Sequence, residues 1–244
     1  MPLLNDIINK IKQKKELQGV SNEYVLKLLD KYTKSPLANS KQEKQIIKLV
    51  REELRIAAGQ YIPSELHNHN VSELVKLHKS TQERLPYYNT LKEIIKKINP
   101  KSILDLGCGL NPLVLAEQGA EYYACDIRQD IIDIINNHFN KNKIKGKAFY
   151  QDVTDIQIPL PKVDLCLMLK LVDLIDRKNH KPTEELLNQI QAKSMIISFS
   201  TKTLSGRPMR HPQRGWIEQL SRRLGFKFNI VTIPNEIYYI LSKG

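Results

Sequence analysis

The stretch "SILDLGCGLNPL", residues 102–113, decides the fold that we expect for this chain. Its apolar residues between Ile103 and Leu106 predict a buried β-strand, and two glycines follow at once. Gly107 and Gly109 let the backbone turn tightly and approach a ligand with no Cβ in the way. The stretch therefore predicts the first strand of a nucleotide-binding sheet and the turn that holds the ligand.

Carboxylates stand at the ends of the next two predicted strands. Asp126 ends the run "YYACD", 19 residues after Gly107, and Asp152 ends the run "AFYQD". A second parallel strand presents such an acid to a ribose, whose two hydroxyls can donate hydrogen bonds to its two oxygens. We therefore expect one ligand to lie across the ends of three neighbouring strands.

The glycine turn departs from the fingerprint of nicotinamide dinucleotide sites, in which a third glycine follows. Pro112 stands at that position. Asp105, two residues before the first glycine, would repel a pyrophosphate and attract a ligand with an amino group and a positive charge. S-adenosylmethionine has both an amino group and a sulfonium, so these residues favour it over a dinucleotide. A strand and turn that hold no ligand remain a further alternative.

The chain changes character near residue 80. Before that point, apolar residues recur at helical spacing in the ranges 25–32 and 46–54, and Pro36 and Pro63 are expected to mark turns. After residue 100, short β-rich runs alternate with helical ones. The predicted strands are 102–106, 121–126, 147–151, 163–168, 194–200, 226–232 and 236–241.

Strands that alternate with helices imply a mainly parallel sheet covered on both faces. We therefore predict an α/β, Rossmann-like domain with a mainly parallel seven-stranded sheet in residues 80–244. Residues 1–79 are predicted to form an N-terminal all-helical domain.

The composition indicates a basic globular protein. Of 244 residues, 41% are hydrophobic, which is enough for a core, and 38 lysines and arginines oppose 26 aspartates and glutamates for a net charge of +12. Such a charge attracts polyanions, so nucleic acid is the leading class of partner. No apolar run approaches the ~18 residues of a membrane helix, and no signal peptide is evident, so we expect a cytoplasmic protein.

The three cysteines predict structural thiols. Cys108, Cys125 and Cys166 lie in or beside apolar runs, with no CxxC pair and no neighbouring histidine at ligand spacing. We expect them to be reduced, and we expect no metal site.

Several motifs together resemble one narrow family. The segments "HKSTQER" at residues 78–84 and "ISFSTKTLSG" at residues 197–206, with "ILDLGCGLNPL", "LMLKLV" and "GWIEQL", are similar to the aminoglycoside-resistance 16S ribosomal RNA methyltransferases. That family methylates N7 of guanine 1405 in the decoding site of the 30S subunit. The resemblance implies a class I S-adenosylmethionine-dependent methyltransferase domain and a helical domain that docks on the ribosome. Asp173 and residues 207–214 depart from the family pattern near the expected entrance for the target base.

The matching motifs imply a cofactor site. Ser80 is predicted to cap a helix together with Glu83, and the resemblance implies that Arg84 holds the carboxylate of the cofactor. Asp126 would hold the ribose, and Asp152 and Val153 would bracket the adenine. The full set of predicted cofactor-binding residues is Thr81, Arg84, Asp105, Gly107, Gly109, Asp126, Ile127, Asp152, Val153 and Leu169.

The implied reaction requires no catalytic side chain. Guanine N7 carries an in-plane lone pair and no proton, so its attack on a sulfonium methyl needs orientation and no general base. Leu169 and Lys170, at the end of the fourth strand, are expected near the target base, with the Lys170 amine directed outward to RNA. The predicted RNA-binding residues are Lys170, Lys202, Arg207, Arg210, Arg214, Arg222 and Arg223.

Two other functions remain open from the sequence. A methyltransferase of the same fold could act at adenine N1 or on another RNA. A ribosome-binding factor could retain the cofactor pocket as a structural relic without catalysis.

Overall fold

The computed structural model describes residues 2–33, 40–58, 70–117, 119–176, 179–203 and 206–243. Pro36 and Pro63, the predicted turns, lie outside these ranges. Among the described residues, no helix combines the length and the apolar character that crossing a membrane would require.

One mixed sheet organises the second half of the chain. In the described ranges it has seven strands in the order β3-β2-β1-β4-β5-β7-β6, with β1 to β5 parallel and β7 antiparallel to both β5 and β6. The predicted Rossmann-like, mainly parallel seven-stranded sheet is confirmed. The strands are β1 Ser102–Leu106, β2 Glu121–Asp126, β3 Gly146–Tyr150, β4 Val163–Leu169, β5 Ala192–Ser200, β6 Phe226–Ile233 and β7 Glu236–Lys243.

Helices precede the sheet and cover it. Within the described residues they are α1 Pro2–Lys12, α2 Asn22–Tyr32, α3 Ser40–Ala57, α4 Val71–Leu77, α5 Lys79–Arg84, α6 Tyr88–Ile98, α7 Pro112–Leu115, α8 Gln129–Asn142, α9 Val172–Ile175, α10 Lys181–Gln189 and α11 Gly215–Arg223. Short 3-10 helices lie at Lys15–Leu17 and Leu85–Tyr87.

Alternate side chains of the central strands enter two separate cores. Leu165 and Leu167 of β4 pack on the face covered by α6 and α8, whereas Cys166 and Met168 pack on the face covered by α10 and α11. This division follows from the two-residue period of a strand, because neighbouring side chains point to opposite faces. Both faces are therefore apolar, and polar groups collect at the ends of the strands.

The N-terminal helices have a core of their own that is joined to the sheet. The predicted stripes of α2 and α3 pack together with α1 in a third apolar cluster. Two backbone hydrogen bonds then tie the start of α2 to the loop after β2: Ser21 N–H donates to Ile127 O at 2.9 Å, and Gln129 N–H donates to Gly19 O at 2.8 Å. Helix α4, which lies before the predicted boundary at residue 79, buries its apolar face in the core of the sheet.

Gly146 provides a test of the sheet geometry. Its φ is +145°, and a Cβ at this position would lie 1.9 Å from the carbonyl oxygen of Tyr122 on β2. We expect Gly146→Ala to lower the free energy of unfolding by at least about 1–3 kcal/mol, measured by urea denaturation, since backbone strain alone has that magnitude. Gly215→Ala is the matched control, because no heavy atom lies within 4 Å of that Cβ position. Equal unfolding midpoints for the two variants would contradict the described register of β3.

Candidate cofactor and active site

One cavity, of about 950 Å³, opens at the carboxyl ends of β1 to β4. This is the edge at which open α/β sheets bind their ligands. The predicted site residues that line it are Gly107, Gly109, Asp126, Ile127, Asp152, Val153, Leu169, Lys170 and Lys202. Residues far apart in sequence are thus brought into one site, as expected from parallel strands.

The two glycines of the turn are needed for steric reasons. Gly107 and Gly109 have φ values of +58° and +50°, a region that other residues rarely adopt. A Cβ on Gly107 would lie 2.7 Å from Leu171 Cδ1, and one on Gly109 would lie 2.7 Å from the His78 ring. A side chain at either position would collide with Leu171 or His78, so this turn requires glycine.

Asp126 connects this turn to the start of α8. Its buried carboxylate accepts hydrogen bonds from Gly109 N–H at 3.0 Å and from Arg128 N–H at 3.0 Å, one on each oxygen. Burial raises the pKa of Asp126, while these backbone donors act in the opposite direction. Each carboxylate oxygen can accept a further hydrogen bond, so the pair of oxygens can also receive two ribose hydroxyls.

Asp152 is held by its own turn and by the N-terminal helices. One oxygen accepts hydrogen bonds from Thr154 N–H at 2.9 Å and Thr154 Oγ1 at 2.7 Å, and the other forms an ion pair with Lys27 of α2. Tyr24 and Lys31, which lie on the same face of α2, line the cavity. The sequence analysis missed Lys27, because it lies 125 residues from Asp152 and no local pattern marks the pair.

Arg84 does not line the cavity as the resemblance implied. Its fully buried guanidinium donates to both oxygens of Glu236, with Nε–Oε2 at 2.9 Å and Nη2–Oε1 at 2.7 Å, and to Asn111 Oδ1 at 2.7 Å. A guanidinium removed from water needs a fixed carboxylate partner, and β7 supplies one here. The guanidinium is thus held by Glu236, and its contact with a cofactor carboxylate stays a prediction.

The predicted Ser80 cap of α5 is wrong. The helix begins at Lys79 with His78 at the N-cap, so Ser80 lies inside the first turn. The Ser80 and Thr81 hydroxyls instead lie 3.0 and 2.9 Å from His78 Nδ1, and Thr81 is fully buried. Burial lowers the pKa of His78 to about 4, so a neutral imidazole packs over Gly109. Sequence analysis quoted His78 only as part of a motif and missed this contact.

Asp105 lies behind the glycine turn, outside the cavity lining. It is fully buried, and its Oδ2 accepts a hydrogen bond from Tyr122 Oη at 2.9 Å. Burial raises the pKa of Asp105 to about 8, so the group is mostly protonated at neutral pH. Its Oδ1 has no hydrogen-bond partner among the described residues, and its contact with the amino group of the ligand stays a prediction.

Lys170 directly follows β4 and has a left-handed conformation, with φ at +58°. Its amine lies 2.8 Å from Glu83 Oε2, and the side chain is only 14% exposed. The amine thus reaches the rim of the cavity next to α5. Leu169 beside it is buried and lines the cavity, which places an apolar wall where the reacting groups are expected.

The predicted RNA-binding residues divide into two groups. Lys202, Arg207 and Arg210 are exposed in the segment after β5, next to the cavity. Three others are engaged within the protein. Arg214 lies 3.6 Å from Asp173, Arg222 lies 3.8 Å from Glu218, and Arg223 lies 2.6 Å from Glu184. Asp173, a departure from the family pattern, is thus paired with Arg214 from the other departing segment.

The cysteines lie in the two apolar cores of the sheet and do not line the cavity. Cys108, Cys125 and Cys166 are free and buried, which confirms structural thiols, and burial raises the pKa of each thiol. Within the described ranges, no group of three or more His, Cys, Asp and Glu side chains is placed to hold a metal ion.

The sheet order, the glycine turn after β1 and the acids at or just after the ends of β2 and β3 are typical of a Rossmann-like methyltransferase. The chain belongs to the ribosomal RNA methyltransferase (FmrO) family, whose model matches residues 35–240. It is 30% identical to the 16S rRNA (guanine(1405)-N(7))-methyltransferase of Serratia marcescens, over 99% of both chains.

Solved structures agree with this assignment. The 16S rRNA methylase RmtB superposes with a TM-score of 0.77 at 28% identity, over 99% of this chain and 98% of that one. The 16S rRNA methyltransferase RmtF, solved in complex with S-adenosyl-L-homocysteine, superposes with a TM-score of 0.81 at 21% identity over 99% and 98%. At 21% identity, the likeness to RmtF shows the fold alone.

Proposed function

We propose that this protein transfers the methyl group of S-adenosylmethionine to N7 of guanine 1405 in 16S ribosomal RNA, within the 30S subunit. The observation that carries this proposal is one cavity that joins a bare glycine turn and two acids to a basic rim. Full-length similarity to the Serratia marcescens enzyme supports the choice of nucleotide. The expected consequence is resistance to aminoglycosides, and the expected location is the cytoplasm, where the substrate lies.

The cavity fits the cofactor. Gly107 and Gly109 line the cavity with bare backbone, and Asp126 retains acceptor capacity for a ribose. Asp152 and Val153 line the cavity and would bracket the adenine, and Leu169, which also lines it, would form an apolar wall. S-adenosylmethionine supplies a methyl group activated by a positively charged sulfur.

Catalysis would depend on orientation. Guanine N7 needs no base to remove a proton, so the protein has to hold the lone pair in line with the methyl–sulfur bond, an effect that can reach about 7–11 kcal/mol. Lys170 and Lys202 at the cavity rim would contact RNA, together with the arginines of the predicted set. Affinity for the subunit should fall steeply with salt.

Residues 1–79 would act as the docking domain for the ribosome while also completing the adenine end of the site.

Lys27→Met removes the ion pair to Asp152, and we expect the affinity for S-adenosylhomocysteine to fall about fivefold, since a partly exposed pair contributes up to about 1 kcal/mol. Isothermal titration calorimetry measures the change. Lys48→Met, on the exposed face of α3, should bind like the wild type. Equal affinities of the wild type, K27M and K48M for S-adenosylhomocysteine would show that α2 does not contribute to the cofactor site.

The proposed reaction is tested on purified 30S subunits. After incubation with S-adenosylmethionine, borohydride and aniline cleave RNA at N7-methylguanine, and primer extension locates the cleavage. A stop next to guanine 1405 is expected with the wild type. Methylation of adenine N1, or methylation of free RNA only, would refute the assignment. Binding of cofactor without any methyl transfer would support the non-catalytic factor.

A further inference from the structure

Lys170 holds a conformation that requires an explanation. A lysine with φ at +58° is strained, because its Cβ is crowded in the left-handed region. Such strain persists where the surrounding structure fixes it, and it collects at functional sites. Lys170 is at the end of β4, between Leu169 and Leu171, and all three residues line the cavity.

Ser198 of the neighbouring strand β5 fixes the Lys170 backbone. The Lys170 N–H donates to the carbonyl oxygen of Ser198 at 3.2 Å and to its hydroxyl oxygen at 3.0 Å. The same hydroxyl donates to Glu236 Oε1 on β7. Ser198 is fully buried, so water does not compete for the hydrogen bonds of its hydroxyl.

Glu236 is itself immobilised. It is fully buried and accepts two hydrogen bonds from the guanidinium of Arg84 on α5. The residue before Arg84 is Glu83, whose carboxylate lies 2.8 Å from the amine of Lys170. Both the backbone and the side chain of Lys170 are therefore connected to the same buried unit.

We propose that Ser198, supported by the Arg84–Glu236 pair, is a positioning residue for methyl transfer. It holds the end of β4 in the strained conformation and so sets where Lys170 meets the target nucleotide. This inference rests on the proposed function. The adenine end of the cavity, at Asp126 and Asp152, is independent of these contacts, so cofactor affinity should not depend on them.

The test compares Ser198→Ala with Ser194→Ala, which lies on the same strand at the end away from the cavity. We expect kcat on 30S subunits to fall about 10- to 100-fold in S198A, because small misplacements have effects of that size. The dissociation constant for S-adenosylhomocysteine should stay within about twofold of the wild type. S194A should match the wild type in both. If S198A folds poorly, Ser198→Cys preserves the volume, weakens the hydrogen bond and gives the same comparison.

A double-mutant cycle separates positioning from general packing. Adding S198A to Lys170→Gly should cause no further loss of kcat, since glycine adopts φ +58° without strain and lacks the side chain to be placed. An equal loss in both backgrounds would overturn the proposal, as would S198A activity equal to that of S194A. A wild-type protein that methylates nothing would instead refute the proposed function, and the inference would fall with it.

Discussion

Glu236→Ala is expected to lower the free energy of unfolding by about 3–5 kcal/mol, because it leaves a buried guanidinium without its partner. Glu236 and Arg84 are both fully buried, and 0% of either side chain is accessible to solvent. Burial lowers the pKa of Arg84, but the attraction of Glu236 outweighs it and raises the pKa. The guanidinium therefore stays charged. Urea unfolding followed by circular dichroism measures the loss.

Two further variants identify the cause. Glu117→Ala removes an exposed partner of Lys92 and should change stability by less than about 1 kcal/mol. The double variant Arg84→Met with Glu236→Leu removes both charges and should recover much of the stability, since apolar residues of similar volume can replace a buried ion pair. The account fails if E236A is as stable as E117A, or if the double variant is less stable than E236A.

Asp126→Ala is expected to weaken the binding of S-adenosylhomocysteine on the order of 100-fold. Two hydrogen bonds from ribose hydroxyls to a carboxylate would be lost, at about 1.5 kcal/mol each, the lower end of the range for a charged acceptor. The variant also removes the acceptor of the Gly109 N–H, which loosens the turn. Isothermal titration calorimetry on the full-length protein measures the affinity directly.

Asp133→Ala is the matched control for this prediction, because Asp133 is an exposed acid on the adjacent helix α8. Its affinity should equal that of the wild type. Thermal unfolding of the ligand-free proteins shows whether D126A is folded at the temperature of the titration. A folded D126A that binds within a few-fold of D133A would exclude Asp126 from the ribose site.

The fold could be predicted because its signals are local. Each strand is a short apolar run, and the glycine turn follows directly on β1, so the seven strands were located to within about two residues at each end. Asp126 and Asp152 reached one edge because parallel strands point the same way. These inferences needed only neighbours in the sequence and one rule of topology.

Partner choice across the chain could not be predicted in the same way. Arg84 and Glu236 are 152 residues apart, and an arginine in a motif gives no sign of whether it faces a ligand or a buried glutamate. The capping prediction for Ser80 failed because a serine and a glutamate three residues apart fit a cap or a first turn equally well, and packing of His78 decides between them. One available signal for a buried partner was Glu236 itself, a charged residue at the start of a strand whose next five residues are apolar or aromatic.

The ion pair between Lys27 and Asp152 would couple the proposed docking region to the proposed cofactor site. Helix α2 belongs to the proposed docking region, yet it contacts the loops after both β2 and β3, where the adenosine is expected. A displacement of α2 on the ribosome would therefore change the retention of the methyl donor. Reciprocity then requires the bound donor to change the affinity for the subunit by the same factor, and that factor is measurable from either side.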